Sequence, residues 1–268
     1  MNIQQHKLKD IAYKESPNHG KTIQPDTIII HYTAGASAES SINTLTNPSA
    51  KVSAHVVISQ DGKLTQLVPF NKKAWHAGKS HHREKTGMNQ YSIGIELDNP
   101  GVLKKAGNQY VSWFGRKYPE EEVLQDVHRN EDFSRYWHTF TEEQIAKVYE
   151  LCELLIKKYD IRYILGHEEV SPGRKLDPGP AFPLDKLRDK LLLEDRSSDE
   201  PDELPEQGVV AVTKLNFRNA PGIHGDKIST PLEKGTSVKI TGKEGDWLQV
   251  EVPVKGWVMG KYLKTDDS

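Results

Sequence analysis

The sequence predicts an α/β domain, in which helices pack on a mixed β-sheet, followed by a small all-β module. Two observations predict the first domain. Strand-like and helix-like patterns are interspersed up to residue 193, and they do not follow the strict alternation of a parallel βαβ fold. A third observation predicts the module, because residues 208–268 contain short strand-like runs separated by turn signals.

The first strong strand signal ends at a histidine. Residues 27–30 (TIII) form a continuous apolar run, typical of a strand buried on both faces, and His31 follows directly. Residues 54–59 and 64–69 lie on either side of Asp61-Gly62, a combination that predicts a β-hairpin. We therefore expect His31 at the end of a central strand, and an antiparallel pair later in the same domain.

Two further strands place polar residues where chemistry can use them. The segment SIGIEL (92–97) alternates, so its three large apolar residues share one face and Glu96 lies on the other. A short strand at 163–165 ends just before Gly166 and His167. The pattern thus predicts Glu96 pointing away from its apolar neighbours and His167 at a strand end.

Helices complete the first domain, and one segment has two interpretations. Thr141 and Gln144 form a capping box, and residues 184–193 predict a closing helix. A buried stripe at helical spacing follows the capping box and comprises Ile145, Val148, Cys152, Leu155, Ile156 and Tyr159. Between residues 99 and 140, aromatic residues stand among charges, which predicts either a lid over a cleft or a satellite core.

An acidic segment separates the two predicted domains. Residues 194–207 (EDRSSDEPDELPEQ) contain seven acidic residues, two prolines and a single apolar side chain, so they bury too little apolar surface to become ordered. We predict a linker there, between domains at 1–193 and 208–268. Strand-like runs in the second domain, at 208–213, 237–241, 247–252 and 256–259, predict a small barrel or sandwich.

Composition excludes several function classes. The 268 residues carry a formal net charge of -2, so no basic field favours nucleic acid. A single cysteine, Cys152, excludes an internal disulfide framework and leaves His, Asp and Glu as metal ligands. We expect no transmembrane segment and no secretory signal in the first 20 residues, which leaves the localisation open. We expect a monomer.

The most informative motif is GHEEVSPGRKLDPGPAFP (166–183). It places His167 after a strand and Asp177 ten positions later, across a loop rich in proline and glycine that we predict to be non-helical. With His31, the set has two imidazoles and one carboxylate, the ligand count of an open catalytic zinc site. Spacing alone leaves ordinary core or surface histidines as the alternative.

Five blocks of sequence give a more specific signal. They are IIIHYTAG (28–35), SAHVVISQDGKLTQLVP (53–69), AWHAG (74–78), SIGIELDNPG (92–101) and the motif at 166–183. In this order they resemble the type-2 N-acetylmuramoyl-L-alanine amidases, a family that includes muropeptide-recycling amidases, phage lysozyme-type amidases and peptidoglycan recognition proteins. The resemblance covers most of residues 25–190.

The resemblance implies roles for five residues. His31, His167 and Asp177 match the ligands of a zinc ion (Zn2+). Glu96 matches a general base, and Lys175 matches a lysine beside the developing oxyanion. A salt-bridged surface glutamate and a solvated loop lysine are the alternatives for the last two.

Candidate substrate contacts follow from residue positions and from the chemistry of the implied substrate. Tyr32 is expected to form part of the cleft wall, and Trp75 and His76 a surface for sugar or peptide. Arg174 is a candidate partner for stem-peptide carboxylates, and a purely structural role is the alternative. His55 lines the groove or has a structural role, and the sequence leaves both open.

The implied function is zinc-dependent hydrolysis of the amide bond between N-acetylmuramic acid and L-alanine (EC 3.5.1.28), in peptidoglycan or in soluble muropeptides. The alternatives are a non-catalytic peptidoglycan recognition protein and a zinc peptidase of the peptide stem. Whether the role is endolysin-like, murein turnover or antagonistic stays open.

The C-terminal module resembles a bacterial SH3-like (SH3b) barrel in three stretches, LNFRNAPG (215–222), LEKGTSVKITGKEGDWLQVEV (232–252) and KGWVMGKYL (255–263). In wall-acting enzymes such modules often bind the cell wall, and this is the role that the resemblance implies here.

Overall fold

The structure, a computed structural model, describes residues 1–192, 205–210, 214–221, 225–244 and 247–253. The chain divides into two compact units, with the division inside the segment 193–204. The predicted linker at 194–207 and the predicted strand at 256–259 lie largely or wholly outside the described residues, so both stay predictions.

The first unit contains strands and helices in mixed order. The strands are β1 (Ile3–Gln4), β2 (Lys7–Leu8), β3 (Ala12–Tyr13), β4 (His19–Thr22), β5 (Thr27–Tyr32), β6 (Val56–Ile58), β7 (Leu64–Gln66), β8 (Lys72–Ala74), β9 (His81–His82), β10 (Lys85–Thr86), β11 (Ser92–Leu97), β12 (Val102–Ala106), β13 (Gln109–Val111), β14 (Lys117–Tyr118), β15 (Val123–Val127), β16 (Ser134–His138) and β17 (Tyr163–Gly166). The α-helices are α1 (Ala38–Leu45), α2 (Glu142–Lys158), α3 (His167–Val170) and α4 (Leu184–Leu192).

A mixed six-stranded sheet forms the centre of this unit, which confirms the predicted fold class. Its order is β17-β5-β11-β6-β7-β3, and β17, β5, β11 and β6 are parallel to one another. The hairpin β6–β7 adds an antiparallel pair at the predicted place. Because the apolar residues 28–30 of β5 are fully buried, this strand lies in the middle of the core. The strand continues through His31 to Tyr32.

Helix α2 covers one face of the sheet, as its apolar stripe predicts. The capping box of Thr141 and Gln144 is present, and Cys152 is buried with its neighbours on the stripe. Gln144 also donates side-chain hydrogen bonds to the carbonyl oxygens of Ile58 (3.3 Å) and Asp98 (3.0 Å). The capping residue therefore ties the start of the helix to the ends of two strands.

One prediction was wrong. The segment after His167 was expected to be non-helical, but it begins with one α-helical turn, α3. The proline and glycine that prevent helix start only at Pro172, so residues 167–170 are free to turn. Glu169 accepts a hydrogen bond from the Gly166 backbone N–H at 2.8 Å and caps this turn.

Residues 99–140 form a second sheet with its own small core. The order is β14-β13-β12-β16-β15, and all its neighbouring strands are antiparallel. Its buried cluster comprises Leu103, Tyr110, Tyr118 and Val123, with Tyr136 packed against it. The segment thus has the satellite core that was one of its two predicted interpretations. We call it the insert sheet.

The second unit is all-β in its described residues. Its strands are β18 (Gln207–Val209), β19 (Lys214–Leu215), β20 (Leu232–Glu233), β21 (Ser237–Glu244) and β22 (Trp247–Glu251). Strands β18, β21 and β22 form an antiparallel sheet, and β19 pairs with β20. This agrees with an all-β module, whereas closure into an SH3-like barrel stays a prediction. Throughout the described ranges, every helix is too short or too polar to cross a membrane.

Candidate metal centre

Two histidines meet at one edge of the central sheet. Strands β5 and β17 are parallel neighbours, and Ile30 pairs with Gly166, so His31 and His167 lie side by side at the strand ends. The loop after α3 returns to the same place, where the Glu168 backbone N–H donates to the Asp177 carbonyl oxygen at 2.8 Å. Local topology therefore brings all three predicted metal ligands together.

The three side chains converge on one point. His31 Nδ1 lies 2.9 Å from His167 Nδ1 and 2.9 Å from Asp177 Oδ2, and His167 Nδ1 lies 2.8 Å from Asp177 Oδ2. All three residues are buried. Tetrahedral zinc with bonds of about 2.0–2.1 Å holds its ligand atoms about 3.3 Å apart. The triangle is thus close to the size that such an ion requires.

A chain of hydrogen bonds fixes the proton on His31. Ser92 Oγ donates to the Met88 carbonyl oxygen (2.6 Å), so it accepts from His76 Nε2 (3.3 Å). His76 Nδ1 is then an acceptor, and it accepts a hydrogen bond from the N–H of His31 Nε2 at 2.9 Å. The lone pair of His31 is left on Nδ1, the atom that faces the other two ligands.

His167 has the same arrangement. Its Nε2 donates to the Ala77 carbonyl oxygen at 3.2 Å, so Nδ1 is the ring nitrogen that faces the other two side chains. Burial lowers the pKa of His31 to about 4, so this imidazole is neutral at neutral pH and able to bind a metal. Three electron-pair donors that face one another repel unless a cation lies among them. The donor set therefore fits a metal ion.

Glu96 faces the same cluster. It pairs with His31 across the parallel strands β5 and β11, so both side chains project from the same face of the sheet. Its Oε2 is buried and has no hydrogen-bond partner among the described residues. Burial raises the pKa of Glu96 to about 8; the Asp177 charge raises it further and the Lys175 charge opposes this. A carboxyl group of this kind can take up and release a proton near neutral pH.

Lys175 is half-buried and close enough for its charge to act on both Glu96 and His31. The structure thus brings together the five residues to which the sequence assigned metal binding and chemistry. Their roles stay predictions.

The residues predicted to bind substrate lie in different settings. Tyr32 is half-buried and packs on Gly101, where a Cβ atom would lie 2.5 Å from the ring. His76 belongs to the hydrogen-bond chain of His31, and Trp75 beside it is half-buried. Arg174 donates to the carbonyl oxygens of Ala77 and Lys79, both at 2.8 Å, and to Ser171 Oγ at 2.7 Å. Its guanidinium group thereby ties two loops together.

His55 is fully buried, and both of its ring nitrogens contact the main chain. Nδ1 accepts from the Gly94 N–H (2.9 Å), and Nε2 donates to the Lys72 carbonyl oxygen (2.9 Å). Burial lowers the pKa of His55 to about 4. This setting favours the structural role that the sequence left open.

Sequence patterns did not single out Ser92, which orients His76 and through it His31. They also missed His128, which contacts the buried Glu168 beside the candidate ligand His167. Neither has a local signal, because each acts through a partner far away in the chain.

Comparison with known proteins gives a consistent result. A family model described as N-acetylmuramoyl-L-alanine amidase matches residues 21–180. N-acetylmuramoyl-L-alanine amidase AmiD of Escherichia coli is 34% identical over 169 residues, which cover 60% of this chain and 51% of AmiD. The 1,6-anhydro-N-acetylmuramyl-L-alanine amidase AmpD of E. coli is 34% identical over 140 residues, or 52% of this chain and 57% of AmpD.

The chain thus spans about half the length of these curated relatives. Among solved structures, a selenomethionine derivative of AmpD superposes with a TM-score of 0.50 at 24% identity, covering 70% of this chain and 98% of the other. At this identity the likeness shows a shared fold.

Proposed function

Since this chain belongs to the N-acetylmuramoyl-L-alanine amidase family, we propose that it hydrolyses the amide bond between N-acetylmuramic acid and L-alanine with the help of a bound zinc ion. His31, His167 and Asp177 would hold the metal, and Glu96 and Lys175 would take part in the chemistry. Both curated relatives are named as amidases of N-acetylmuramoyl-L-alanine or of its 1,6-anhydro form, which supports the choice of substrate.

The observation that supports the proposal is the convergence of three candidate ligand atoms beside a buried carboxyl oxygen of Glu96 that has no hydrogen-bond partner among the described residues. A zinc ion held by these two imidazoles and this carboxylate would activate a water molecule near neutral pH and polarise a carbonyl group. The neutral His31 and the carboxylate of Asp177 are the protonation states that such binding requires.

Glu96 and Lys175 divide the remaining work. Glu96 Oε2 accepts the proton of the attacking water and then delivers it to the departing amide nitrogen, so the alanine leaves as a neutral amine. Lys175 places a positive charge beside the oxygen of the attacked carbonyl, which becomes negative only as the bond to water forms. Both roles depend on the position of these side chains around the ligand cluster.

The form of the substrate is a separate question. The name of AmpD specifies a 1,6-anhydro sugar, which favours soluble muropeptides, whereas a wall-binding second unit would favour intact wall. We propose that the second unit binds cell wall, on the strength of its resemblance to SH3b modules.

The decisive experiment incubates the purified chain with cell-wall sacculi and, separately, with an anhydromuropeptide, and then identifies the new termini. A free L-alanine amino group together with a free muramoyl carboxylate supports the proposal. Binding to sacculi without any release indicates a recognition protein and rejects catalysis. New amino termini within the stem would instead identify a peptidase.

A further inference from the structure

A carboxyl group next to one metal ligand is held by the insert sheet. Glu168 follows His167 directly and is 2% exposed. Its Oε2 accepts hydrogen bonds from His128 Nε2 (2.8 Å) and from the Gly179 N–H (2.9 Å), and its Oε1 lies 3.1 Å from Arg129 Nε. His128 and Arg129 belong to the insert sheet (residues 99–140), whereas Gly179 belongs to the loop that contains Asp177.

The donor on His128 is fixed in direction. The Asn130 N–H donates to His128 Nδ1 at 3.2 Å, so the proton of the imidazole lies on Nε2 and points at Glu168. The ring stacks on Trp137 with centroids 5.7 Å apart and planes at 25°. The insert sheet therefore presents a rigid donor to Glu168.

Trp137 also contacts the ligand loop directly. Gly179 has a φ of +72°, and a Cβ atom there would lie 2.7 Å from Trp137 Cζ3, so no larger residue fits. On the other side, the Glu168 N–H donates to the Asp177 carbonyl oxygen at 2.8 Å. Residues 177–179 are thus clamped between Glu168 and the insert sheet.

We propose that Glu168 is a positioning residue of the metal centre, through which the insert sheet holds Asp177 in place for metal binding. The inference rests on the proposed zinc site. It assigns the insert sheet a task, because a carboxylate ligand on a loop binds metal well only when its backbone is already held. The Glu168 carboxylate is not a member of the converging group of His31, His167 and Asp177.

Zinc affinity of the full chain, measured by competition with a chromogenic chelator, tests the proposal together with urea unfolding of the metal-free protein. Glu168→Ala is expected to weaken zinc binding about 10–100-fold, the usual effect of losing a partner that orients a ligand. Glu168→Gln can keep both hydrogen bonds on its amide oxygen but turns its amide nitrogen toward Arg129 Nε, so its zinc affinity should fall less than that of Glu168→Ala.

Two further variants separate positioning from general stability. Glu122→Ala removes another His–Glu contact of the insert sheet, to His138 at 3.3 Å, and should leave zinc affinity unchanged. His128→Phe keeps the ring on Trp137 but removes the donor to Glu168, and a roughly tenfold loss is expected. This variant decides the question if Glu168→Ala does not fold.

Zinc affinities of Glu168→Ala and His128→Phe within twofold of the wild type would overturn the proposal, even if both variants unfold more easily, because a purely structural role predicts that result. The readout is independent of turnover. A wild type that binds zinc but releases no alanine would contradict the proposed function. The zinc affinities of the variants would still decide this inference.

Discussion

Glu96 shows how much chemistry depends on one buried carboxyl group. Its strand register places it beside His31, and its Oε2 has no hydrogen-bond partner among the described residues. Burial and the Asp177 charge therefore disfavour its charged form, and the Lys175 charge opposes them. A metal ion held by the candidate ligands, together with a water molecule, would supply the positive charge and the hydrogen-bond donor that Glu96 lacks. Binding and chemistry can therefore be separated by mutation at this site.

Asp177→Ala and Glu96→Ala should have opposite signatures. The first removes one of three ligands, so the purified protein should lose its zinc. The second should keep zinc at one equivalent but lower turnover by roughly two to four orders of magnitude, as expected for loss of a general base. Elemental analysis and release of L-alanine from a muropeptide measure the two effects. Full zinc content in Asp177→Ala would remove Asp177 from the ligand set.

The raised pKa of Glu96, about 8, predicts a pH dependence of stability in the metal-free protein. Unfolded Glu96 loses its proton near its ordinary value of about 4.5, whereas the folded protein retains the proton up to about pH 8. The unfolded state therefore binds fewer protons between these values, and the free energy of unfolding falls as the pH rises through this window.

Glu96→Gln does not titrate, so urea unfolding of both proteins between pH 5 and 9 isolates the effect. The variant should gain stability relative to the wild type, by an amount on the order of a few kcal/mol, and the gain should level off above about pH 8. A difference that does not change with pH would show that Glu96 has an ordinary pKa in the folded protein.

For single residues, the sequence predicted the members of the cluster better than the side chains that orient them. The candidate ligands, Glu96 and Lys175 lie within blocks that resemble a known family, and the structure brings them together. The Ser92–His76–His31 hydrogen-bond chain had no such signal. Which groups donate and which accept along it depends on the carbonyl oxygen to which the Ser92 hydroxyl donates. His76 was predicted as a substrate contact, and its hydrogen bond to His31 became visible only in three dimensions.

Register is the property that matters most at the scale of elements. In β11, Gly94 lies on the same face as Glu96, and the His76 ring occupies the space above it. A Cβ atom at Gly94 would lie 2.4 Å from His76 Cγ. The glycine therefore leaves room for the histidine that orients His31.

Gly94→Ala should destabilise the protein by about 1–3 kcal/mol, because the interior has to shift to accept a methyl group. It should also weaken zinc binding by displacing His76, although it replaces no ligand. Gly208→Ala is the control, since a Cβ atom there meets only ordinary contacts at 3.4 Å and beyond. Urea unfolding and chelator competition measure both effects; unchanged zinc affinity in Gly94→Ala would show that His76 does not hold His31.

Long, strongly patterned elements were predictable, and short ones were not. Strand β11 alternates along its whole length, and α2 begins with a complete capping box, so local sequence determines both. In the insert sheet, β14 has two residues and exists only because β13 pairs with it. The α3 turn was missed because one turn has no periodicity to detect.

The whole molecule combines a unit that contains the candidate site with a separate all-β unit. The two are joined through an acidic segment that the sequence predicts to be a linker. If the second unit binds the wall, it raises the local concentration of the first unit on an insoluble polymer and leaves its chemistry unchanged. The effect of the second unit on the rate of hydrolysis should then depend on whether the substrate is soluble or insoluble.

Removal of residues 199–268 should leave kcat/KM for a soluble muropeptide within about twofold of the full chain, because all candidate site residues lie in the first unit. Release of L-alanine from sacculi should fall by about tenfold or more, since the truncated protein loses its attachment to the polymer. A fragment of residues 199–268 should sediment with sacculi, and adding it in excess should inhibit the full chain. Equal activity of the full and truncated chains on sacculi would exclude a wall-binding role for the second unit and leave the proposed amidase chemistry untouched.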